Sequence, residues 1–482
     1  MGGMGDTVTE SWLYFQSQSG PRMWGQVDLH LDLAGGSGGS LRARLEHALR
    51  DAVRSGRLAP EARLPSTREL CAQLGVSRGV VVDAYAQLAA EGYLRTRRGG
   101  GTTVAPAVRA ELRSAPPPSR EPVVRYDMSP YRPALGELPR RELGRAVARV
   151  LREAPDQRFD LPDPAGVIEL RRALASYLGR VRGVRAGAEQ IVITTGTRHG
   201  AGLAWQALAA RGARRVGVED PGWAGMRETA AAAGLTPVPV PVDDQGLLVA
   251  DLDARRLDAV AVAPAHQYPA GGVMSAERRR SLLAWARDHG TVVIEDDFDA
   301  EYRYDHQPIG SLQGLAPEHV IYTGSTSKTV APGLRLGWLV VPAALVDPIL
   351  TRQAVAGTIP PPIFQLAFAE LIERGELDRH LRRQRRRYLR RRDALLAALA
   401  DALPSLVVTG AAAGLYVVLE LPTELDEAAV LAAARARGIA LEGRGGTQPA
   451  LVIGYAGLDA AATRPAVAAL AASIDEATTV GG

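Results

Sequence analysis

Lysine is nearly missing from this chain. Of its 57 basic residues, Lys328 is the one lysine and the other 56 are arginine. An amine condenses with an aldehyde and a guanidinium does not, so any chemistry that needs a primary amine side chain is confined to one position. Cysteine is as scarce. With Cys71 alone, an internal disulfide is excluded, which fits a reducing compartment. No uninterrupted apolar run reaches the length of a membrane span, so no membrane partner and a cytoplasmic location are expected. Residues 1–27 lack the basic-then-apolar order of a secretory signal and any helical or strand period, and are expected to be disordered.

What is present suits a large globular protein. A content of 46% hydrophobic and 23% charged residues over 482 positions allows a large core and more than one domain. The net charge of +4 weakly favours an acidic partner, and its placement says more: residues 28–104 hold 11 Arg against 8 Asp and Glu, which is +3 of that total. Within this stretch Leu41, Leu45, Leu49 and Val53 recur at helical spacing. A second short helix is announced by Ser66 as cap, with Glu69 completing a capping box, and it ends at Leu74-Gly75. Ser77 is placed to cap a third, with Val81, Tyr85 and Leu88 as its buried stripe. Arg95 to Val104 alternates into a glycine turn and back. This order of helices, turn and two-stranded wing predicts a winged helix-turn-helix, with arginines at helix starts and on the wing where phosphates and base edges would be met.

Residues 105–124 are proline-rich and without apolar period, the composition of a semi-rigid linker. From there to residue 482 the pattern changes to short β-rich runs alternating with helical stretches, among them Ile191–Thr194, Val216–Val218, Ala259–Ala263, Val292–Ile294 and Ile321–Thr323. This predicts an α/β domain with a largely parallel sheet, in which ligands gather beyond the carboxyl ends of the strands. Thr195-Gly196-Thr197-Arg198 opens a helix and forms a phosphate seat. Glu219-Asp-Pro-Gly-Trp223 places an aromatic where it could cover a planar ring, and Glu295-Asp296-Asp297 places a carboxylate where it could pair with a protonated pyridine nitrogen. Lys328, preceded by Ser325 and Ser327 and followed by Arg335, suits an aldehyde cofactor that carries a phosphate, namely pyridoxal 5'-phosphate.

Leu64-Pro-Ser-Thr-Arg68, Leu74-Gly-Val-Ser-Arg78 and Glu91-Gly-Tyr-Leu94 resemble the winged helix of GntR-type regulators. That likeness implies DNA contacts from Ser66, Thr67, Arg68, Ser77, Arg78, Arg97 and Arg98. Gly79 stands where the family commonly has Thr, so one phosphate contact fewer is expected. From about Asp28 to the C-terminus, the motifs just quoted together with His266-Gln-Tyr-Pro269 and Ser327-Lys328 resemble the MocR subfamily, in which this winged helix is fused to a fold-type I aminotransferase-like domain with a smaller C-terminal α+β part. The resemblance implies Lys328 as Schiff-base lysine, Asp296 as partner of the pyridine nitrogen and Trp223 as stacking ring. It further implies Arg335, Thr197 and Ser325 as phosphate ligands, with His266 and Gln267 near the ring and Arg198, Ser327 and Phe298 completing the cofactor set. No metal is expected.

The chain departs from the family pattern at particular positions. Phe298 stands where members usually carry a Tyr that bonds the ring hydroxyl. Leu161 stands where related sequences have a Tyr that reaches the neighbouring subunit's cofactor phosphate. Leu451-Val-Ile-Gly-Tyr455 lacks the Arg with which aminotransferases hold a substrate carboxylate, and Arg444 in the preceding loop is expected to be solvated. The arginine-rich stretch Arg379–Arg392 reads as a solvated basic helix or as a second DNA track. Taken together these features imply a homodimeric regulator that binds double-stranded DNA and senses pyridoxal phosphate itself or an amino compound. The alternatives are a working aminotransferase with an appended winged helix, and a DNA-binding regulator with a degenerate pocket.

Overall fold

The computed structural model of the chain describes residues 40–97, 100–106, 123–304, 309–410, 412–446 and 448–480. Residues 1–27, most of the linker and Arg98 therefore lie outside the described residues. The chain divides into two compact units at residue 120.

In the first unit, helices Leu41–Arg54, Thr67–Leu74 and Arg78–Ala90 precede an antiparallel hairpin of Leu94–Arg97 with Gly101–Val104. The capping box forms as the sequence predicts: Glu69 N–H donates to Ser66 Oγ at 3.2 Å and Ser66 N–H to Glu69 Oε2 at 2.8 Å. Gly75, at φ +66, ends that helix in the left-handed region that glycine adopts without strain. Leu45, Leu49, Leu70, Val81, Tyr85 and Leu88 close one core. Ser77 departs from expectation. It holds the N-cap position of the third helix, but its side chain makes no capping hydrogen bond.

The second unit is built on an eight-stranded sheet in the order Ile191–Thr194, Gly337–Val340, Val320–Ser325, Val292–Asp296, Ala259–Val262, Arg215–Asp220, Thr236–Asp243, Gly246–Leu247. Pairing is parallel from Val320–Ser325 through to Thr236–Asp243, while Gly337–Val340 runs antiparallel to both neighbours. Both faces are covered, as the continuous apolar runs require. Val293 and Ile294, adjacent on one strand, belong to separate core clusters because successive side chains leave a strand on opposite faces.

Thr236–Asp243 carries Pro237, Pro239 and Pro241 and does not read as a strand. Thr236 N–H donates to Arg214 O at 2.7 Å, so the even-numbered amides face the sheet and the amides that proline lacks would face outward. There the partner is the two-residue strand Gly246–Leu247, and the outer edge is where proline is tolerated.

Val408–Thr409, Tyr416–Glu420, Ala450–Gly454 and Glu442–Gly443 form a second, antiparallel sheet, flanked by helices Glu427–Ala436 and Ala460–Val480. Helix Glu376–Ala402 precedes it. Residues just after the linker join this part, as Tyr126–Asp127 pairs in parallel with Ile439–Ala440. Among the described residues no helix is long and apolar enough to cross a membrane.

Candidate functional site

A cavity of about 280 Å³ opens at the carboxyl ends of the parallel strands. Much of its wall comes from strand ends: Gly196, Thr197 and Arg198 follow Ile191–Thr194, Trp223 follows Arg215–Asp220, Ala263 follows Ala259–Val262, and Asp296 and Phe298 stand at the end of Val292–Asp296. Ser325, Ser327 and Lys328 come from Val320–Ser325, and Arg335 from the turn before the antiparallel strand.

Lys328 sits in a turn braced from several sides. Thr326 Oγ1 donates to Leu336 O at 3.0 Å, Tyr302 OH donates to Lys328 O at 3.2 Å, and His380 Nε2 bonds Thr329 O at 2.9 Å. Its ammonium donates to the backbone carbonyl of Tyr131 at 2.7 Å and lies 5.0 Å from that ring's centre. Burial lowers its pKa from 10.5 to about 8, against the opposing pull of Asp299 and Asp296. Asp296 shows the reverse effect. Burial raises its carboxyl to about 7, although Thr323 Oγ1 donates to its Oδ1 at 3.2 Å and Lys328 favours the charged form.

At the other end of the cavity the helix Thr197–Ala210 begins with its free amides. Gly196 has φ +120, and a Cβ there would meet the Arg335 guanidinium at 3.7 Å. Arg335 is exposed, is itself held at φ +49, and has no carboxylate partner among the described residues. Arg198 is paired with Glu228 and lies 5.4 Å from the centre of the Trp223 ring. Gly225 is required where it is, because a Cβ would fall 2.2 Å from that ring.

The structure thus gathers Thr197, Arg198, Trp223, Asp296, Phe298, Ser325, Ser327, Lys328 and Arg335 around one space. His266 and Gln267 are not among the lining residues; they brace the wall from behind. His266 Nδ1 bonds Asp299 Oδ2 at 2.9 Å and its ring stacks on Tyr416 at 4.7 Å. Gln267 Nε2 donates to Tyr268 O and Pro221 O at 2.7 and 2.8 Å. Arg444 is not solvated: its side chain is 12% exposed and pairs with Glu420 at 2.8 Å. It does not line the cavity, whose arginines are Arg198 and Arg335.

Sequence reasoning assigned no role to Tyr131, Tyr268, Glu219 or Glu442. The hydroxyls of Tyr131 and Tyr268 lie 2.9 Å apart, and both donate to Glu442, Tyr268 at 3.0 Å. Burial raises Glu442 to about 7. Glu219, buried in the cavity wall, is raised to about 8 by desolvation while accepting from Ala263 N–H and Gln267 Nε2. Acids set beside Pro-Gly-Trp and in a glycine-rich stretch were visible signals; the tyrosine pair was not, because its members stand 137 residues apart.

On the first unit, Ser66, Arg68, Ser77, Arg78 and Arg97 are exposed and Thr67 is half-buried. Arg68, Arg78 and Arg97 have no ion pair among the described residues. By contrast Arg50 is bound to Glu91 at 2.9 Å and Arg54 to Tyr93 OH at 2.9 Å, so these arginines of the first helix serve the fold.

Residues 41–104 match the family of bacterial regulatory proteins described as gntR, and residues 135–470 match aminotransferase class I and II. The pyridoxine biosynthesis transcriptional regulator PdxR of Corynebacterium glutamicum is 36% identical over 394 residues, spanning 79% of this chain and 83% of that protein. The probable rhizopine catabolism regulatory protein MocR of Rhizobium meliloti is 30% identical and spans 89% and 93%. Among solved structures, the α-aminoadipate aminotransferase LysN of Thermus thermophilus superposes with a TM-score of 0.66 at 26% identity, over 73% of this chain and 93% of that one. An archaeal alanine:glyoxylate aminotransferase gives 0.67 at 24%, over 73% and 91%.

Proposed function

Because the chain belongs to the MocR subfamily of GntR-type transcriptional regulators, we propose that it senses pyridoxal 5'-phosphate at Lys328 and answers with a change in DNA binding. The observation that carries this reading is the donor set around the chain's one lysine. Arg335, without a carboxylate partner among the described residues, faces the open amides of the helix at Thr197, a seat for a phosphate. Thr197, Ser325 and Ser327 add hydroxyls, Trp223 a ring face, and Asp296 a buried carboxylate for a protonated ring nitrogen.

When bound, pyridoxal phosphate supplies an aldehyde that a primary amine attacks and a ring that withdraws electrons. Lys328 brings the amine. Since burial has lowered its pKa to about 8, roughly a tenth of it is neutral at pH 7, against a few parts in ten thousand for an ordinary lysine. Asp296 is held ready to ionise beside an arriving cation.

Sensing is favoured over turnover by what the cavity wall lacks. Both lining arginines stand at the end near Gly196, and Arg444 is engaged by Glu420, so among the described residues no further guanidinium is set to orient a substrate carboxylate. Phe298 offers no hydroxyl, and Leu161, 93% exposed, offers none to a neighbouring subunit. Both favour a ligand that comes and goes. The chain acts as a homodimer in this reading, a state supported by exposed Phe159, Leu161 and Phe364, the last on a helix in contact with the turn Asp156–Phe159.

One observation favours an amino compound as effector instead: past Lys328 the cavity continues to Tyr131 and Tyr268, which leaves polar room beside the amine. Fluorescence anisotropy of an operator duplex selected with the full chain separates the readings. Pyridoxal phosphate alone should shift the dissociation constant by about 5- to 150-fold, the usual range of an allosteric coupling. A shift that requires an added amine supports the second reading, and no shift with either refutes both.

A further inference from the structure

The nine arginines between Arg379 and Arg392 are not equivalent. Arg385 donates to Glu301 O at 2.6 Å, Arg387 and Arg391 share Glu137, and Arg392 pairs with Asp393 at 3.7 Å. These serve the fold. Arg382, Arg383, Arg386 and Arg390 are exposed and have no carboxylate within ion-pair distance among the described residues, while Arg379 has Glu376 only at 4.0 Å.

Their spacing puts all five on one face. Leu377, Leu381, Gln384 and Tyr388 form the buried stripe of this helix, and at 3.6 residues per turn the rows 379–383 and 382–386–390 run along the opposite side. The result is a strip roughly 16 Å long at 1.5 Å per residue. Acid partners at i+4 would be the ordinary way to stabilise such a face, yet the first acid on the C-terminal side is Asp393, where the strip ends. Guanidinium groups left without acids, at this density, suit the regularly spaced phosphates of a polyanion.

We infer that this strip is a sequence-independent contact for the backbone of duplex DNA flanking the operator. The inference rests on the reading of the chain as a DNA-binding regulator, and it adds a second contact, on the large unit. It predicts that binding depends on duplex length as well as on operator sequence.

The test replaces Arg382, Arg383, Arg386 and Arg390 together by Gln in the full chain, with unchanged thermal melting as the folding control. Dissociation constants are measured against salt on an operator selected from a random duplex library, once trimmed to the selected sequence and once with long flanks. On the flanked duplex, the slope of log affinity against log salt should fall by about 0.9 for each arginine that meets a phosphate. On the trimmed duplex it should match wild type, which also establishes that the winged helix still binds. An unchanged slope on the flanked duplex overturns the proposal. So does a variant that loses binding only to anionic phospholipid vesicles or to duplex RNA, which would assign the strip to a membrane or to RNA.

Discussion

The ammonium of Lys328 is hydrogen-bonded to the backbone carbonyl of Tyr131 at 2.7 Å, and Tyr131 lies on the segment by which the chain enters the large unit after its linker. The same segment pairs through Tyr126–Asp127 with Ile439–Ala440. A lysine that has condensed with an aldehyde no longer has an ammonium to offer that carbonyl. In the proposed sensing role, loss of this bond on condensation would be the local event that ties occupancy of the cavity to the segment following the linker and biases two states.

Removing the ammonium should release this segment without any ligand. Lys328→Ala is expected to raise amide hydrogen exchange severalfold across residues 124–133 and to leave the parallel strands unchanged. Tyr131→Phe, which keeps the carbonyl, should leave that exchange nearer to wild type. Equal exchange in Lys328→Ala and wild type would show that the bond restrains nothing.

Capture of pyridoxal phosphate should depend on pH through the amine. With the Lys328 pKa lowered to about 8, the neutral fraction rises about tenfold per unit below that value and levels above it. Stopped-flow association rates should follow this profile. A rate that keeps climbing toward pH 10 would mean that the lysine is not desolvated.

In the proposed role, Asp296 would set ligand affinity against stability. Its folded value of about 7 lies above the ordinary 3.8, so between those values the unfolded chain binds fewer protons than the folded one, and stability falls as pH rises through the window. At 1.36 kcal/mol per unit the cost reaches about 4 kcal/mol above pH 7. Asp296→Asn removes it. The variant should melt higher than wild type at pH 8, match it near pH 4, and bind pyridoxal phosphate at least tenfold more weakly; a lower melting temperature at pH 8 would contradict the assignment.

Val82, 43% exposed, is the large hydrophobic side chain left in water among the described residues of the first unit. It stands on the same exposed face of the third helix as Gly79, Asp83 and Ala86, and an apolar side chain there suits a thymine methyl in the major groove. Replacing the contacted thymine by deoxyuridine should weaken wild-type binding by about fourfold, the equivalent of about 0.8 kcal/mol for one buried methyl-sized group, and should have no effect on Val82→Ala. Equal losses in both proteins would place the methyl contact elsewhere.

Much of this was legible in the sequence because the signals were local. Ser66 with Glu69, Gly75 at the helix end, and β-rich runs that stop at Thr194, Ile294 and Thr323 each fix structure within a few residues, and the sheet then brings the strand ends together. Lys328 was conspicuous by composition alone. What escaped depends on distance or on context. Tyr131 reaches Lys328 across 197 residues, and no pattern along the chain joins Tyr268 to Glu442. Arg444, flanked by glycines, reads as a solvated loop until Glu420, two strands away in the same sheet, is seen beside it. The prolines of Thr236–Asp243 argue against a strand until its outer edge is known. His266 and Gln267 carry a motif that points to the pocket, yet His266 Nδ1 is engaged by Asp299 and Gln267 Nε2 by Pro221 and Tyr268.

The central claim is that the one lysine binds pyridoxal phosphate covalently and reversibly. An absorbance titration of the purified chain with pyridoxal phosphate, for wild type and Lys328→Ala, tests it most directly. A saturable visible band in wild type that is absent from the variant is the predicted result. No band in either protein, or the same band in both, would contradict it.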